Sequence, residues 1–173
     1  ALTPRFGASD YAINGGAHPF DLYTCEVNGG GPQPWPGANF AWPDMTQMSG
    51  ISYMRSQVQP AQVRDGLSNT YLVGEKSLGP DYYTTGMCGG DNEGLFMGYA
   101  NNITRHTNLP PQQDRAGVGG YTSWCALGSA HPGIFIMALA DGSIRQISLS
   151  IDQNIHRRLG DRRDGEVLDG ANF

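Results

Sequence analysis

His131, Glu75 and Asp91 are the residues of this chain whose types could carry acid–base chemistry. His131, in Ser129-Ala130-His131-Pro132-Gly133, could serve as a general base or a metal ligand, with Asp141 as its orienting acid. An apolar run from Ile134 to Ala140 separates the two and stops at Asp141-Gly142. If that run is a strand, the ten residue steps at ~3.3 Å each put His131 and Asp141 some ~30 Å apart. They then form no dyad within one subunit. Each is expected to be structural, with Asp141 in a left-handed turn conformation beside Gly142 and His131 bonding the loop that enters the sheet. Glu75 becomes the neighbour of His131 if strands 70–75 and 134–140 pair.

A second group of polar residues gathers at Asp91-Asn92-Glu93-Gly94, at Asn101-Asn102-Ile103-Thr104-Arg105 and at Asp114. Short acids and amides beside glycine suit a calcium loop, because hard cations take several oxygen ligands from a tightly turning backbone. Asp91, Asn92 and Asp114 are the calcium candidates, although Asp91-x-Glu93-Gly94 lacks EF-hand spacing. The same residues also suit Asx-turns that hold a long loop in shape. Asp91, Asn92, Arg105 and Asp114 are expected to cluster, because an Arg between carboxylates makes bidentate, charge-assisted bonds. Ser68-Asn69-Thr70 reads as a turn and cap, since no Gly-x-Ser-x-Gly elbow surrounds Ser68.

The aromatic residues Trp35, Trp42, Tyr82, Tyr83 and Trp124 could stack on sugar rings or make subunit contacts. The 16 acidic residues offer no pair at a spacing diagnostic of glycoside hydrolysis. Cys25, Cys88 and Cys125 have neither Cys-x-x-Cys spacing nor an adjacent His, which argues against zinc. A secreted setting permits one disulfide, for which Cys88 and Cys125, flanking the central excursion, are the expected pair; three reduced cysteines are the alternative.

The elements that must position these residues are legible from turn chemistry. Asp141-Gly142 between two β-prone runs predicts a hairpin, 134–140 with 143–148, closed by a type I′ turn. The first run is apolar at nearly every position and is expected to be covered on both faces. Short strands are expected at Tyr11 to Ile13, Tyr23 to Val27, Gln62 to Arg64 and Thr70 to Glu75, with Asp65-Gly66 a turn. A short helix near Asp152 to Leu159 has Asp152 as N-cap and Gly160 as its stop. Lys76 to Ser123 forms a long loop excursion, the expected place of function.

Composition fits one loop-rich domain. The 173 residues suit a single core, and 25 glycines with 11 prolines make turns frequent. A net charge of −5, with scattered positive residues, argues against a nucleic-acid partner. The cluster Arg157-Arg158 and Arg162-Arg163 reads as a solvated turn after the helix. No run approaches the ~18 apolar residues of a membrane span.

His131, nine intervening residues and Asp141-Gly142 together resemble the hallmark of a prepilin-like family of unknown function, expanded in planctomycete bacteria. Asp65-Gly66-Leu67-Ser68-Asn69-Thr70, running into Glu75, resembles that family's Asp-Gly-x-Ser-Asn-Thr block. Ser9-Asp10-Tyr11 with Gly15-Gly16, and Ile151-Asp152 with Gly165-Glu166-Val167, resemble its two ends. Members begin with a prepilin signal and a long apolar helix. This chain starts at Ala1-Leu2-Thr3-Pro4 and reads as the soluble body, processed or taken out of a longer precursor.

The resemblance implies a β-rich α+β domain over 1–173, an antiparallel sheet with long loops like the globular body of a pseudopilin. Within it, 76–123 is the excursion and 129–173 the terminal hairpin and helix. The expected function is a non-catalytic, extracytoplasmic assembly component of a pseudopilus-like or cell-surface system, acting through protein subunits. Membrane attachment would come only through the N-terminal helix. No cofactor is expected, calcium being the one candidate. The alternative is a carbohydrate-binding or glycoside-hydrolysing surface domain.

Overall fold

A computed structural model describes residues 7–18, 44–96, 98–117, 124–166 and 168. The expected strand at Tyr23 to Val27, together with Cys25, Trp35 and Trp42, lies outside the described residues.

Among the described residues the strands are β1 (Tyr11–Asn14), β2 (Tyr71–Glu75), β3 (Thr104–Arg105), β4 (Gln112–Gln113), β5 (Gly128–Ser129), β6 (Ile134–Leu139) and β7 (Ile144–Ser148), and the helix α1 (Gln153–Gly160) follows β7. Five of them form one sheet in the order β3-β1-β2-β6-β7, and β4 pairs with β5 apart from it. The architecture is mixed α+β and mostly strand and loop, as expected. The sheet is antiparallel except where β3 lies parallel to β1. That edge strand comes from inside the excursion, which is therefore part of the sheet and not only a loop.

The 134–148 hairpin forms, with Phe135 opposite Ile147 and Ala138 opposite Ile144. Its turn differs from the expected type. Gly142 N–H donates to Leu139 O at 2.9 Å and Leu139 N–H donates to Ser143 O at 2.8 Å. Only Gly142, at φ 86°, is left-handed; Asp141 is not. This is a three-residue loop with a glycine bulge, and it asks for positive φ at one position only. Asp141 serves through its side chain, where Oδ1 accepts from Ser143 N–H at 2.8 Å and Ser143 Oγ–H at 2.7 Å. These two bonds hold the Asp141 carboxyl below its usual range. Gly142→Ala is expected to cost about 1 kcal/mol in urea denaturation, purely from conformation, since a Cβ there meets nothing within 4 Å.

Along β6 burial alternates, with Phe135, Met137 and Leu139 fully buried and Ile134, Ile136 and Ala138 half-covered. The run is thus sealed on one face, not both, because α1 covers a single side. Ile147 is buried and Ile144 exposed, since an odd separation along a strand puts them on opposite faces. The core gathers Tyr71, Leu127, Phe135, Met137, Leu139, Ile147 and Leu159, with Ile155 packed against it. Gly74 lets Met137 lie across β2, where a Cβ would sit 2.3 Å from its Cε.

Helix α1 starts where expected, with Asp152 Oδ1 accepting from Asn154 and Ile155 N–H. Gly160 is its last residue and not a left-handed stop. Its role is close approach, because a Cβ would lie 1.8 Å from Thr107 Oγ1. Two further expectations are corrected. Pro60–Gln62 forms a 3-10 turn where a strand was expected at Gln62 to Arg64; Pro60 fixes φ and Gln59 completes a capping box. Arg162 is buried, its Nη1 donating to Met48 O at 2.6 Å and Gly50 O at 2.7 Å, with Tyr53 beneath the guanidinium.

The Asp65 block is a structural staple. Asp65 is buried and its two oxygens accept from Asp164 and Gly165 N–H, each at 2.8 Å. Gly66 adopts φ 97°, Asn69 and Thr70 side chains donate to Asp65 O and Gly66 O, and Ser68 is exposed in the same 3-10 turn. The hairpin turn docks on this block through Asp141 N–H to Leu67 O at 3.0 Å and Ala140 N–H to Thr70 O at 2.8 Å. Both Asp-Gly blocks therefore close one corner of the domain.

Candidate functional site

The opposite end of the sheet holds the candidate site. Tyr11 pairs with Glu75, which brings Asp10 beside Lys76, and Lys76 N–H donates to Asp10 O at 3.0 Å. Gly74 pairs with Met137, so β6 starts where β2 ends, and Glu75 Oε2 accepts from Ile136 N–H at 2.7 Å. That leaves Glu75 Oε1 facing His131 Nε2 at 3.1 Å. The strand pairing makes Glu75 the partner of His131, as the sequence led us to expect. Asp141 lies at the far end of the hairpin.

The excursion departs and returns at the same end. Ser77 N–H donates to Ala126 O, and Asp114 N–H donates to Ser129 O at 2.9 Å. A cavity of about 460 Å³ opens there, lined by Asp10, Glu75, Lys76, Leu78, Tyr83, Asp91, Asp114, Ser129, Ala130 and His131. The three sequence candidates for chemistry, Glu75, His131 and Asp91, thus share one wall system.

The expected loop cluster forms only in part. Asp91 and Asp114 reach the same cavity, but Arg105 does not lie between them. Its guanidinium is fully buried and donates to carbonyls, to Thr104 O at 3.0 Å, Gly90 O at 3.1 Å and Asn101 O. Burial lowers its pKa to about 10 even with Cys88, Asp91 and Asp114 opposing. The cation that meets Asp91 is Lys76. Its Nζ donates to Asp91 Oδ1 at 2.6 Å, Asn102 O at 2.8 Å and Gly90 O at 3.4 Å, with none of its side chain exposed. Burial lowers the Lys76 pKa, the Arg105 charge lowers it further, and the bond to Asp91 opposes both. Asn92 is exposed, apart from this network.

Asp114 accepts from Leu78 N–H at 2.8 Å through Oδ1 and from the Tyr83 hydroxyl through Oδ2. Burial raises its pKa, those two bonds lower it, and the like charges of Glu75 and Asp10 raise it. Partial burial and the Asp114 bond likewise push the Tyr83 hydroxyl up. Among the described residues, no group of three or more His, Cys, Asp or Glu is placed to hold a metal ion.

Of the aromatic candidates within the described residues, Tyr83 lines the cavity and Tyr82 sits in the neighbouring 3-10 turn. The Trp124 ring packs over Gly89, where a Cβ would lie 2.9 Å from it. The expected Cys88–Cys125 bridge does not form. Cys88 is a buried free thiol, whereas Cys125 is disulfide-bonded. Flanking one excursion does not bring two sulfurs within the ~2 Å a bridge requires.

Lys76 is the main residue that sequence reasoning missed. A single Lys after a strand looks solvated, and its burial follows only from the excursion folding back over it. Asn14 was missed as well. Buried in β1, its Nδ2 donates to Tyr71 O and Gly160 O, each at 2.9 Å, and its Oδ1 accepts from Gly16 N–H at 2.9 Å.

No curated protein and no solved structure matches the chain. Among protein families, the one described as Protein of unknown function (DUF1559) matches residues 8–154. That span contains Asp10, the Asp65 block, Glu75 and the whole of His131 to Gly142, while Gly165-Glu166-Val167 falls beyond it. With well over half of its length matched, the chain belongs to the DUF1559 family.

Proposed function

We propose that this chain is the non-catalytic, extracytoplasmic body of a prepilin-like assembly component, acting through protein contacts. The observation that supports this reading is how the two Asp-Gly blocks are used. Asp65, Asn69, Thr70 and Asp141 direct their side chains at backbone groups or at a neighbouring serine of the fold itself. Residues spent in this way stabilise a body; they are not held ready for a substrate. Large apolar side chains remain for contacts on the excursion, where Phe96 is 95% and Met87 73% exposed.

Two measurements test it. Sedimentation of the purified chain at rising concentration should show self-association, and replacing Met87 and Phe96 together by Ser should weaken it by about tenfold, as loss of an aromatic anchor does. Assays against a panel of glycosides and esters should show no turnover. Saturable turnover abolished by Glu75→Gln or His131→Ala, with the melting temperature unchanged, would replace this reading by an enzyme.

A further inference from the structure

We propose that the cavity at the β1–β2–β6 end is a binding site for a small ligand presenting a primary ammonium group. Its volume, about 460 Å³, falls in the range of small-molecule sites. Its wall is mixed: Leu78 and Ala130 supply apolar surface, Tyr83 a half-exposed ring, and His131, Glu75 and Asp114 convergent polar groups. The carboxylates reach it from separate segments, ahead of β1, at the end of β2, and from two points of the excursion.

Charge selects the ligand. The two cations nearest these acids are already committed to partners within the fold. Lys76 spends its ammonium on Asp91, Asn102 O and Gly90 O, and Arg105 spends its guanidinium on carbonyls. Asp91 pairs with Lys76, whose charge also reaches Asp10, and Glu75 pairs with His131; among the described residues neither Asp10 nor Asp114 forms an ion pair of its own. The Asp10 carboxylate lines the cavity and accepts no hydrogen bond from the described residues. The crowding of like charge registers at Asp114, where Glu75 and Asp10 oppose ionisation. A cationic N–H donor entering here gains carboxylate acceptors while displacing no existing cation. A neutral hydroxyl gains less, because it brings no net charge to attract the several carboxylates around it.

The ammonium could belong to a free amine solute or to a lysine side chain of a neighbouring protein. Amide NMR of the intact chain, titrated at low salt, separates them. The probes are 1,4-diaminobutane with 1,4-butanediol as its neutral counterpart, and Nα-acetyl-lysine amide with its Nζ-acetylated form. Saturable shifts at Glu75, Lys76 and Ser129 to His131 are expected with an ammonium probe and not with its neutral counterpart. The tighter of the two ammonium probes names the source. Asp10→Asn should weaken binding by about tenfold with the melting temperature unchanged, since that side chain holds no element in place. Equal binding of the neutral counterparts, no shift with either ammonium probe, or undiminished binding to the Asp10→Asn protein would each overturn the proposal.

Discussion

Acidification from pH 6.5 to 4.5 is expected to destabilise this protein by about 4–5 kcal/mol, a large part of a typical domain's stability. Two buried imidazoles cause it. His106 sits beneath Gly15, and His156 lies against the rings of Tyr71 and Phe135, with centroids 5.6 and 6.0 Å away. Neither ring nitrogen of either residue has a hydrogen-bond partner among the described residues. Burial pushes both pKa values down to about 3, helped at His106 by the Arg105 charge. The unfolded chain takes up both protons near pH 6.5, whereas the native state stays neutral until about pH 3. Stability is therefore complete above pH 6.5 and falls as pH drops, by about 1.4 kcal/mol per unit for each histidine. Asp114 and Asp164 are raised from 3.8 and work in the opposite direction between that value and their raised native ones. Urea denaturation across this window gives the slope directly. His156→Leu should roughly halve it, and an unaltered slope would show that His156 is not buried in its neutral form.

Asp91→Ala is expected to cost about 3 kcal/mol or more, because it strands a buried ammonium. Among the described residues Lys76 would keep only the carbonyls of Asn102 and Gly90 as acceptors. Removing the cation as well, with Lys76→Met, should recover part of the loss, so that the double variant is more stable than Asp91→Ala alone. The pH dependence carries the same signature. Burial sets the native Lys76 pKa below 10.5, so in alkaline solution the unfolded chain binds the extra proton and stability rises with pH towards that value. Without Asp91 the native pKa falls further and this alkaline gain widens. Urea midpoints at neutral and alkaline pH measure both effects. A loss under about 1 kcal/mol would mean that the pair behaves as a solvated surface bridge.

Much of the scaffold was legible from local rules. Asp141-Gly142 between two β-prone runs, Asp152 ahead of a helical stretch, and the strand after Asn69 each depend on residues within one turn of each other, so the sequence alone determines them. The pairing of Glu75 with His131 was also within reach. It needed only that two recognisable strands lie side by side, since antiparallel register then carries the end of one to the start of the other. Even the hairpin turn was recognised, although the conformation of Asp141 was not. One left-handed glycine closes a three-residue loop as well as two left-handed residues close a two-residue one.

What tertiary structure alone decided is which charges are buried and with whom. Lys76, Arg105 and Arg162 carry no local mark that separates them from solvated cations, and Arg162 sits in a run that reads as a surface turn. Their burial comes from contacts across 14 to 114 residues of chain, to Gly90, Asp91, Asn102 and Met48. The same holds for the free Cys88, for the neutral His106 and His156, and for the parallel strand that the excursion lends to the sheet edge. Residue type and spacing set which turns and strands form. Desolvation depends on what a folded chain lays over each side chain, and no short window of sequence contains that information.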